Sequence, residues 1–348
     1  MKNRTFTKEF WGGFLIFVLV IVIICFFPKW FTQAGTPDFS NTGQIGDTIG
    51  GIMGPFVAIA AAGLTFLAFW VQYRANEQLR EDITVERFES KFYKMLDIHI
   101  QNVQKMEVGP KKGVAVFEEF VSLYHKVYKK VSLAADLVIK NSDYIAYRPG
   151  EIGYLDFIRE YATDEKKLHE LINKLAYGYF FYGYNYKIPK NKGCISVFND
   201  KIYDELDANL DLLGRPWFGS GYNNTLGHYY RHLYHTISYI AKMDSGIISE
   251  EQKYEYAKMI RGQMSDEEQL LLYYNSLSIP GQNWNKNNKD ERRQYVRENM
   301  GYIARFRMIK NISNINMICG LNPNDKYAEE IGIWARKYEC DFFEQEGR

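Results

Sequence analysis

Residues 46–62 read GDTIGGIMGPFVAIAAA, and a small residue occupies every fourth position of this stretch: Gly46, Gly50, Gly54, Ala58 and Ala62. In a helix, positions four apart lie nearly above one another, so these residues form one narrow stripe. So many glycines weaken a helix in water, whereas in a bilayer a stripe of small residues lets a second helix approach closely. The stretch therefore predicts a membrane helix that packs against another helix.

The apolar sequence continues beyond this stretch. Residues 50–71 would form a helix roughly 33 Å long, enough for a hydrocarbon core about 30 Å thick. A second apolar run, residues 10–27, precedes it, and Trp11 and Trp30 would suit the two membrane interfaces. A cleaved signal peptide is the alternative for this run, but no small-residue cleavage site follows it. We predict two spans, about 10–27 and 50–71, that form a transmembrane hairpin within residues 1–72.

The basic residues around the spans predict the orientation of the hairpin. Three basic residues precede the first span and three follow the second within residues 73–87, whereas the linker over 28–45 contains only Lys29. Because basic residues favour the cytoplasmic side, both termini are predicted to be cytoplasmic. Asp47 lies at the outer edge of the second span, where it would cap the start of the helix or, alternatively, line a passage.

The composition restricts the classes of function. A formal charge of +1 argues against a dedicated nucleic-acid binder, so no direct nucleic-acid binding is expected. The four cysteines, Cys25, Cys194, Cys319 and Cys340, are far apart and form no CxxC pair. This pattern argues against a disulfide framework and a zinc ribbon, and we predict no cofactor.

The rest of the chain is predicted to be helical, which makes the protein mainly α. Residues 73–108 form a long juxtamembrane helix, because apolar residues recur at helical spacing from Leu79 to Met106 without an intervening glycine or proline. Residues 109–348 form an all-helical cytosolic domain, with a turn at 109–113 and a loop at 141–153. Its helices are predicted over residues 114–140, 165–184, 200–213, 228–243, 250–263, 266–277, 290–309 and 325–344, with a short strand possible at 195–198.

Two sequence features support parts of this assignment. In the first helix of the domain, five apolar side chains share one face: Phe117, Phe120, Tyr124, Val127 and Val131. The sequence Ser265-Asp-Glu-Glu268 predicts a capping box at the start of another helix.

Three histidines follow one another at helical spacing in the sequence GHYYRHLYH of residues 227–235. His228, His232 and His235 would lie on one face of a helix, and three imidazoles are a possible zinc-ligand set. However, no carboxylate lies between them to act as a base, and three ligands from one helix rarely converge on one ion. We therefore predict no metal and a structural or interface role, with a zinc site as the alternative.

Arg231 and His235 suggest a second chemistry. Helical ribonucleases of the HEPN type use an arginine and a histidine separated by four to six residues, and here three residues separate them. A membrane-anchored RNase that uses this pair is therefore an alternative hypothesis.

Several segments taken in order resemble a known family. They read GQIGDTIGGIMGPF (43–56), FWVQYRANEQLREDITVERFESKFYKMLDIH (69–99), LGHYYRHLYHTISYI (226–240) and RGQMSDEEQLLLYYNSLS (261–278). Together they resemble phage abortive infection proteins of the AbiC type. The positions that carry the resemblance most clearly are Gly46, Asp47, Gly50, Gly51, His228, Tyr229, Arg231, Leu233, Tyr234, Leu271, Tyr274 and Asn275.

The resemblance implies a bacterial inner-membrane protein that stops growth or kills the infected cell. It implies no catalytic residue. Some similar two-span proteins are encoded beside retron reverse transcriptases, so the partners we expect are the lipid bilayer and either further copies of the chain or a reverse transcriptase with its RNA and DNA.

The leading hypothesis is an antiphage effector whose activation disrupts the membrane, and a non-toxic membrane sensor is a further alternative. The candidate functional surface residues are Asp47, His228, Tyr229, Arg231, His232, His235, Tyr274 and Asn275.

Overall fold

The computed structural model describes scattered residues between 12 and 26 and then residues 42–142, 152–208, 219–286, 300–312, 317–318, 320–339 and 341–343. The described chain is mainly helical, as predicted. It divides into two compact units, residues 1–87 and residues 88–348.

The helices are α1 (Thr42–Gln104), α2 (Ala115–Ser142), α3 (Ile152–Thr163), α4 (Glu165–Tyr182), α5 (Cys194–Ala208), α6 (Asn223–Ala241), α7 (Glu250–Arg261), α8 (Asp266–Ser276), α9 (Tyr302–Phe306), α10 (Pro323–Lys326) and α11 (Ala328–Tyr338). Short 3₁₀ turns cover Lys190–Lys192 and Gln282–Asn285. Strands β1 (Glu107–Val108) and β2 (Lys111–Lys112) pair antiparallel around the predicted turn, with Val108 opposite Lys111.

The first unit contains the N-terminal part of α1, which carries the small-residue stripe. α1 is 63 residues long and has Pro55 inside it. A proline within a helix removes one backbone hydrogen bond, a loss that transmembrane helices tolerate. A window of 18 residues in α1 reaches a mean hydropathy of 1.9, and none of that window is buried. α1 is therefore long and apolar enough to cross a membrane.

The predicted first span, residues 10–27, falls largely outside the described residues. The residues described between 12 and 26 are helical. A Cβ built on Gly13 would lie 3.3 Å from Cδ1 of Leu67, so the two segments touch at this point. The two-helix hairpin as a whole stays a prediction.

The second unit begins with the C-terminal part of α1, which enters a hydrophobic core. Phe88, Phe92 and Val103 are buried at the spacing that the sequence predicted, and so is His99. Leu79, near the start of the predicted apolar face, is 54% exposed. The buried face of this helix therefore begins later than predicted.

Helices α2 and α8 occupy the centre of this core. The five apolar residues predicted to share one face of α2 are all completely buried. Every residue of α8 from Glu268 to Ser276 is buried, as expected for a helix surrounded by others. The ring centroids of Tyr124 and Tyr274 are 4.9 Å apart, and the Tyr124 hydroxyl donates a hydrogen bond to Asn173 Oδ1 at 2.5 Å.

The predicted capping box at the start of α8 is confirmed. The Glu268 N–H donates to Ser265 Oγ at 3.2 Å, and the Ser265 N–H donates to Glu268 Oε2 at 3.3 Å. Ser249 and Gln252 form a second capping box at the start of α7. These reciprocal bonds satisfy amide groups that have no partner within their helices.

Some predicted boundaries are wrong. Residues 195–198 form no strand, because they belong to α5, in which Phe198, Ile202 and Leu206 are buried at intervals of four. Helix α3 was not predicted, although Tyr154 and Ile158 are buried four residues apart. These short segments contain too few apolar residues for the sequence to distinguish the helical period of about 3.6 residues from the strand period of two.

The predicted C-terminal helices are also interrupted. The helix predicted over 325–344 is split into α10 and α11 and ends at Tyr338, where Glu339 adopts a left-handed conformation (φ 51°). The helix predicted over 290–309 lies partly outside the described residues, and its described part is the short α9, which Arg307 ends with φ 48°.

The end of α4 makes a close backbone contact with the segment that precedes α6. Gly183 and Gly221 both have positive φ, 95° and 71°. The Tyr184 N–H donates to the Gly219 carbonyl at 3.2 Å, and a Cβ built on Gly183 would lie only 2.4 Å from that same oxygen. Only glycine fits this position without moving the backbone.

We therefore expect Gly183→Ala to destabilise the protein by about 2 kcal/mol or more, because it combines a steric clash with backbone strain. Gly246→Ala is the matched control, since its Cβ would meet Asp244 Oδ1 at an ordinary 3.4 Å. Thermal unfolding of the full chain in detergent, followed by tryptophan fluorescence, measures both variants. Equal losses in the two variants would contradict the assigned contact.

Candidate functional site

A cavity of about 280 Å³ opens beside one face of α6. Helix α6 contributes residues spaced three or four apart, because such positions share one side of a helix. The end of α4, the end of α8 and the turn that follows α8 complete the lining. The lining residues are Phe181, Tyr182, Asn223, Gly227, Tyr230, Arg231, Tyr234, His235, Asn275, Pro280, Gly281, Asn283 and Trp284.

The rim of the cavity is polar. Arg231, His235, Asn223 and Asn283 are exposed, and no acidic residue occurs among the described lining residues. Arg231 Nε donates to the Gly227 carbonyl at 3.0 Å, one helical turn earlier. This bond holds the side chain along α6 and leaves the two terminal amino groups of the guanidinium free to bind. Arg231 therefore supplies a fixed positive charge at the rim.

The floor of the cavity is aromatic and buried. Trp284 is buried with its ring edge-on to Tyr234, at a centroid distance of 5.1 Å and an interplanar angle of 85°. The buried Tyr230 hydroxyl accepts a hydrogen bond from the Tyr177 hydroxyl at 3.2 Å. Asn275 is also buried, and its Oδ1 finds no hydrogen-bond partner in the part of the chain that the structure describes. The floor is thus rigid and holds one unsatisfied acceptor.

Behind this face of α6, a buried polar cluster joins three helices. It consists of His99 from α1, Tyr229 and His232 from α6, and Glu268 from α8. The Tyr229 hydroxyl donates to Glu268 Oε1. His99 Nε2 lies 3.7 Å from the same oxygen, and the His99 and His232 rings stack with centroids 6.2 Å apart.

Burial changes the protonation of this cluster. It raises the pKa of Glu268 to about 7, although hydrogen bonds from Tyr229 and the Ser265 N–H act in the opposite direction. Burial, together with repulsion from His232, lowers the pKa of His99 to about 4. His99 is therefore neutral at pH 7, so its contact with Glu268 is not an ion pair at that pH.

The structure separates the residues that the sequence grouped together. Tyr229 and Tyr274 are completely buried and lie on no surface. His228 is exposed beside a different groove, His232 is half-buried in the polar cluster, and His235 lines the cavity. In the described part of the chain, no three histidine, cysteine or acidic side chains are grouped to hold a metal ion.

The stripe residues lie in the other unit. Gly46, Gly50, Gly54, Ala58 and Ala62 are all exposed, and so is Asp47. A Cβ built on any of the three glycines would meet nothing within 4 Å among the described residues. The stripe therefore has no close packing partner in the described chain.

Sequence reasoning missed most of the cavity. It assigned Glu268 only to a capping box, although the same carboxylate is the centre of the buried cluster. Trp284 lies in the asparagine-rich sequence NWNKNN of residues 283–288, for which no role was predicted, and it forms the cavity floor. A tryptophan among asparagines was the available signal, because a large ring is seldom left in water.

Residues 221–316 match the model of the family described as "Putative phage abortive infection protein". Residues 221–316 are thus a segment of the phage abortive infection family, called here the abortive infection segment. This confirms the resemblance predicted from the sequence. The abortive infection segment contains α6, α7 and α8, and it supplies every lining residue of the cavity except Phe181 and Tyr182. No curated protein and no solved structure gives a significant match.

The polar cluster generates a pH prediction. Because the pKa of Glu268 rises on folding from 4.5 to about 7, the folded state holds this proton more tightly, and stability falls as the pH rises through this range. Glu268→Gln keeps an acceptor for Tyr229. Because its amide does not ionise, the variant avoids this loss of stability at high pH. We expect the variant to be more stable than the native chain at pH 8 by up to about 3 kcal/mol and to lose this advantage below pH 5.

His99 has the opposite effect on the pH dependence of stability. Its pKa falls on folding from 6.5 to about 4, so its contribution is present above pH 6.5 and is lost as the pH falls towards 4. In Glu268→Gln, stability should therefore rise steadily with pH from 4 to 6.5. Glu267→Gln, which neutralises the neighbouring acid, is the control and should follow the native profile. Identical pH profiles for Glu268→Gln and the native chain would contradict the assignment.

Proposed function

We propose that this protein is a membrane-anchored effector of phage defence, whose activation disturbs the bacterial inner membrane. The abortive infection segment supports a role in phage defence. The membrane mechanism is supported by α1, which contains both an unburied apolar window and the buried residues of a separate folded unit. The presence of both features in one helix is the observation that best supports the proposal.

The stripe on α1 is the proposed contact surface within the membrane. Five small residues on one face let helices pack closely, because no side chain separates the backbones. The partner of the stripe is the first span of the same chain or the stripe of another copy. The contact between Gly13 and Leu67 lies off this stripe.

The C-terminal part of α1 is the proposed route by which activation reaches the membrane. His99 and the neighbouring aromatic residues are buried against α6 and α8, which belong to the abortive infection segment. A change in this segment, whether caused by a partner or by infection, would therefore act directly on α1. Both termini remain cytoplasmic in this arrangement, as the flanking charges predict.

The stripe is tested by the double variant Gly50→Leu plus Gly54→Leu, which places two large side chains on the proposed contact face. We expect it to abolish growth arrest and dye entry in induced cells, because the helices can no longer approach. Gly51→Leu plus Gly63→Leu is the matched control, since it makes the same changes at two glycines of the same helix that lie off the stripe. The proposal fails if the stripe variant remains as toxic as the native chain at equal membrane abundance.

A second candidate function is a membrane-anchored RNase. It is favoured by the position of Arg231 and His235 on the rim of one cavity, where a cation and an imidazole could act on a phosphodiester. If this function holds, His235→Ala should abolish toxicity and leave total RNA intact, while His228→Ala, an exposed histidine outside the cavity, should have no effect. Toxicity that survives His235→Ala would exclude it.

A further inference from the structure

We propose that the cavity beside α6 binds a nucleotide, with its phosphate at Arg231 and His235 and its base among the aromatic side chains. This binding site goes beyond the membrane function and does not depend on it. The free 5′-nucleotide and the terminal nucleotide of an RNA strand share this chemistry, and binding measurements distinguish the two.

The charge of the cavity favours an anion. Arg231 is the one residue with a permanent charge among the described lining residues, and no carboxylate lines the cavity to neutralise it. Its Nε is already bound to the Gly227 carbonyl, so the terminal amino groups are held in a defined direction. A guanidinium presented in this way matches the geometry of a phosphate. His235, one turn further along α6, lies on the same side and adds a second donor.

The remaining lining residues favour a planar, polar ring beside that phosphate. Tyr182 is 45% exposed and presents a ring at the rim, and Tyr234 is half-buried. Aromatic side chains stack on nucleobases whatever the base, because every base has a π-face. The amides of Asn223 and Asn283, both exposed at the rim, offer donors and acceptors to the edge of a base.

The size and rigidity of the cavity fit one small ligand. Its volume of about 280 Å³ is close to the lower end of the range for small-molecule sites, about 300–1,000 Å³. The floor is held by the Tyr230–Tyr177 hydrogen bond and by the packing of Trp284 on Tyr234. At Gly281, a Cβ would approach Asn275 Oδ1 to 2.4 Å, so the turn is drawn tightly against the end of α8. The site is therefore preformed rather than assembled by the ligand.

A purely apolar ligand would leave the charge of Arg231 unused, and an anion without a ring would leave the aromatic side chains unused.

The proposal is tested by equilibrium binding to the detergent-solubilised full chain. The probes are 5′-AMP, adenosine, inorganic phosphate and a short single-stranded RNA that carries a 5′-phosphate. We expect 5′-AMP to bind at least tenfold more tightly than adenosine or phosphate, because it alone among these three uses both halves of the cavity.

Variants of the lining identify the site. Arg231→Ala should weaken 5′-AMP binding about tenfold or more, and Tyr182→Ala should weaken it several-fold, whereas Tyr182→Phe keeps the ring and should bind as the native chain does. Arg159→Ala is the charge-matched control, because Arg159 is 78% exposed on α3 and does not line the cavity. It should leave binding unchanged. A melting profile of each variant shows that the fold is retained.

The outcomes separate the two sources of the nucleotide. Binding of 5′-AMP with these variant effects supports a free nucleotide as the ligand, and binding of the RNA alone with the same effects supports an RNA end. No binding of either probe at millimolar concentration would overturn the proposal. So would binding that Arg231→Ala and Arg159→Ala weaken equally, because this would reflect general charge attraction. The membrane function would be unaffected by these failures, since it is measured by dye entry.

Discussion

The burial of the last turns of α1 in the second unit is the interaction on which the rest of the structure depends. Phe88 and Phe92 are almost completely buried there, and each such side chain contributes about 1.5–3 kcal/mol relative to exposure. The same 63-residue helix holds an apolar window in which no residue is buried. One helix therefore joins a folded domain to an apolar segment that is long enough to cross a membrane.

The buried cluster around Glu268 shows that this packing also has a free-energy cost, because it buries ionisable groups. The carboxylate serves as a helix cap, accepts a bond from Tyr229 and faces His99, so it cannot be replaced by an apolar residue without losing these contacts. Burial opposes its charge and that of His99 at the same time. The free energy of this cluster therefore depends on its protonation as well as on its packing.

The sequence predicted those features that depend on local periodicity. The buried face of α2, the capping box before α8 and the apolar window of α1 are set by spacing within one segment, and the structure contains all three. The cavity could not be predicted in this way, because it brings Tyr182, Asn275 and Trp284 together from distant parts of the chain. The total charge of +1 likewise gave no sign of a locally basic rim, since it averages over 348 residues.

One time course tests most directly whether the protein acts on the membrane. After induced expression in bacteria, membrane potential and total RNA integrity are followed in the same culture. The membrane function predicts that the potential collapses while RNA is still intact. Cleavage of RNA before any loss of potential would contradict it.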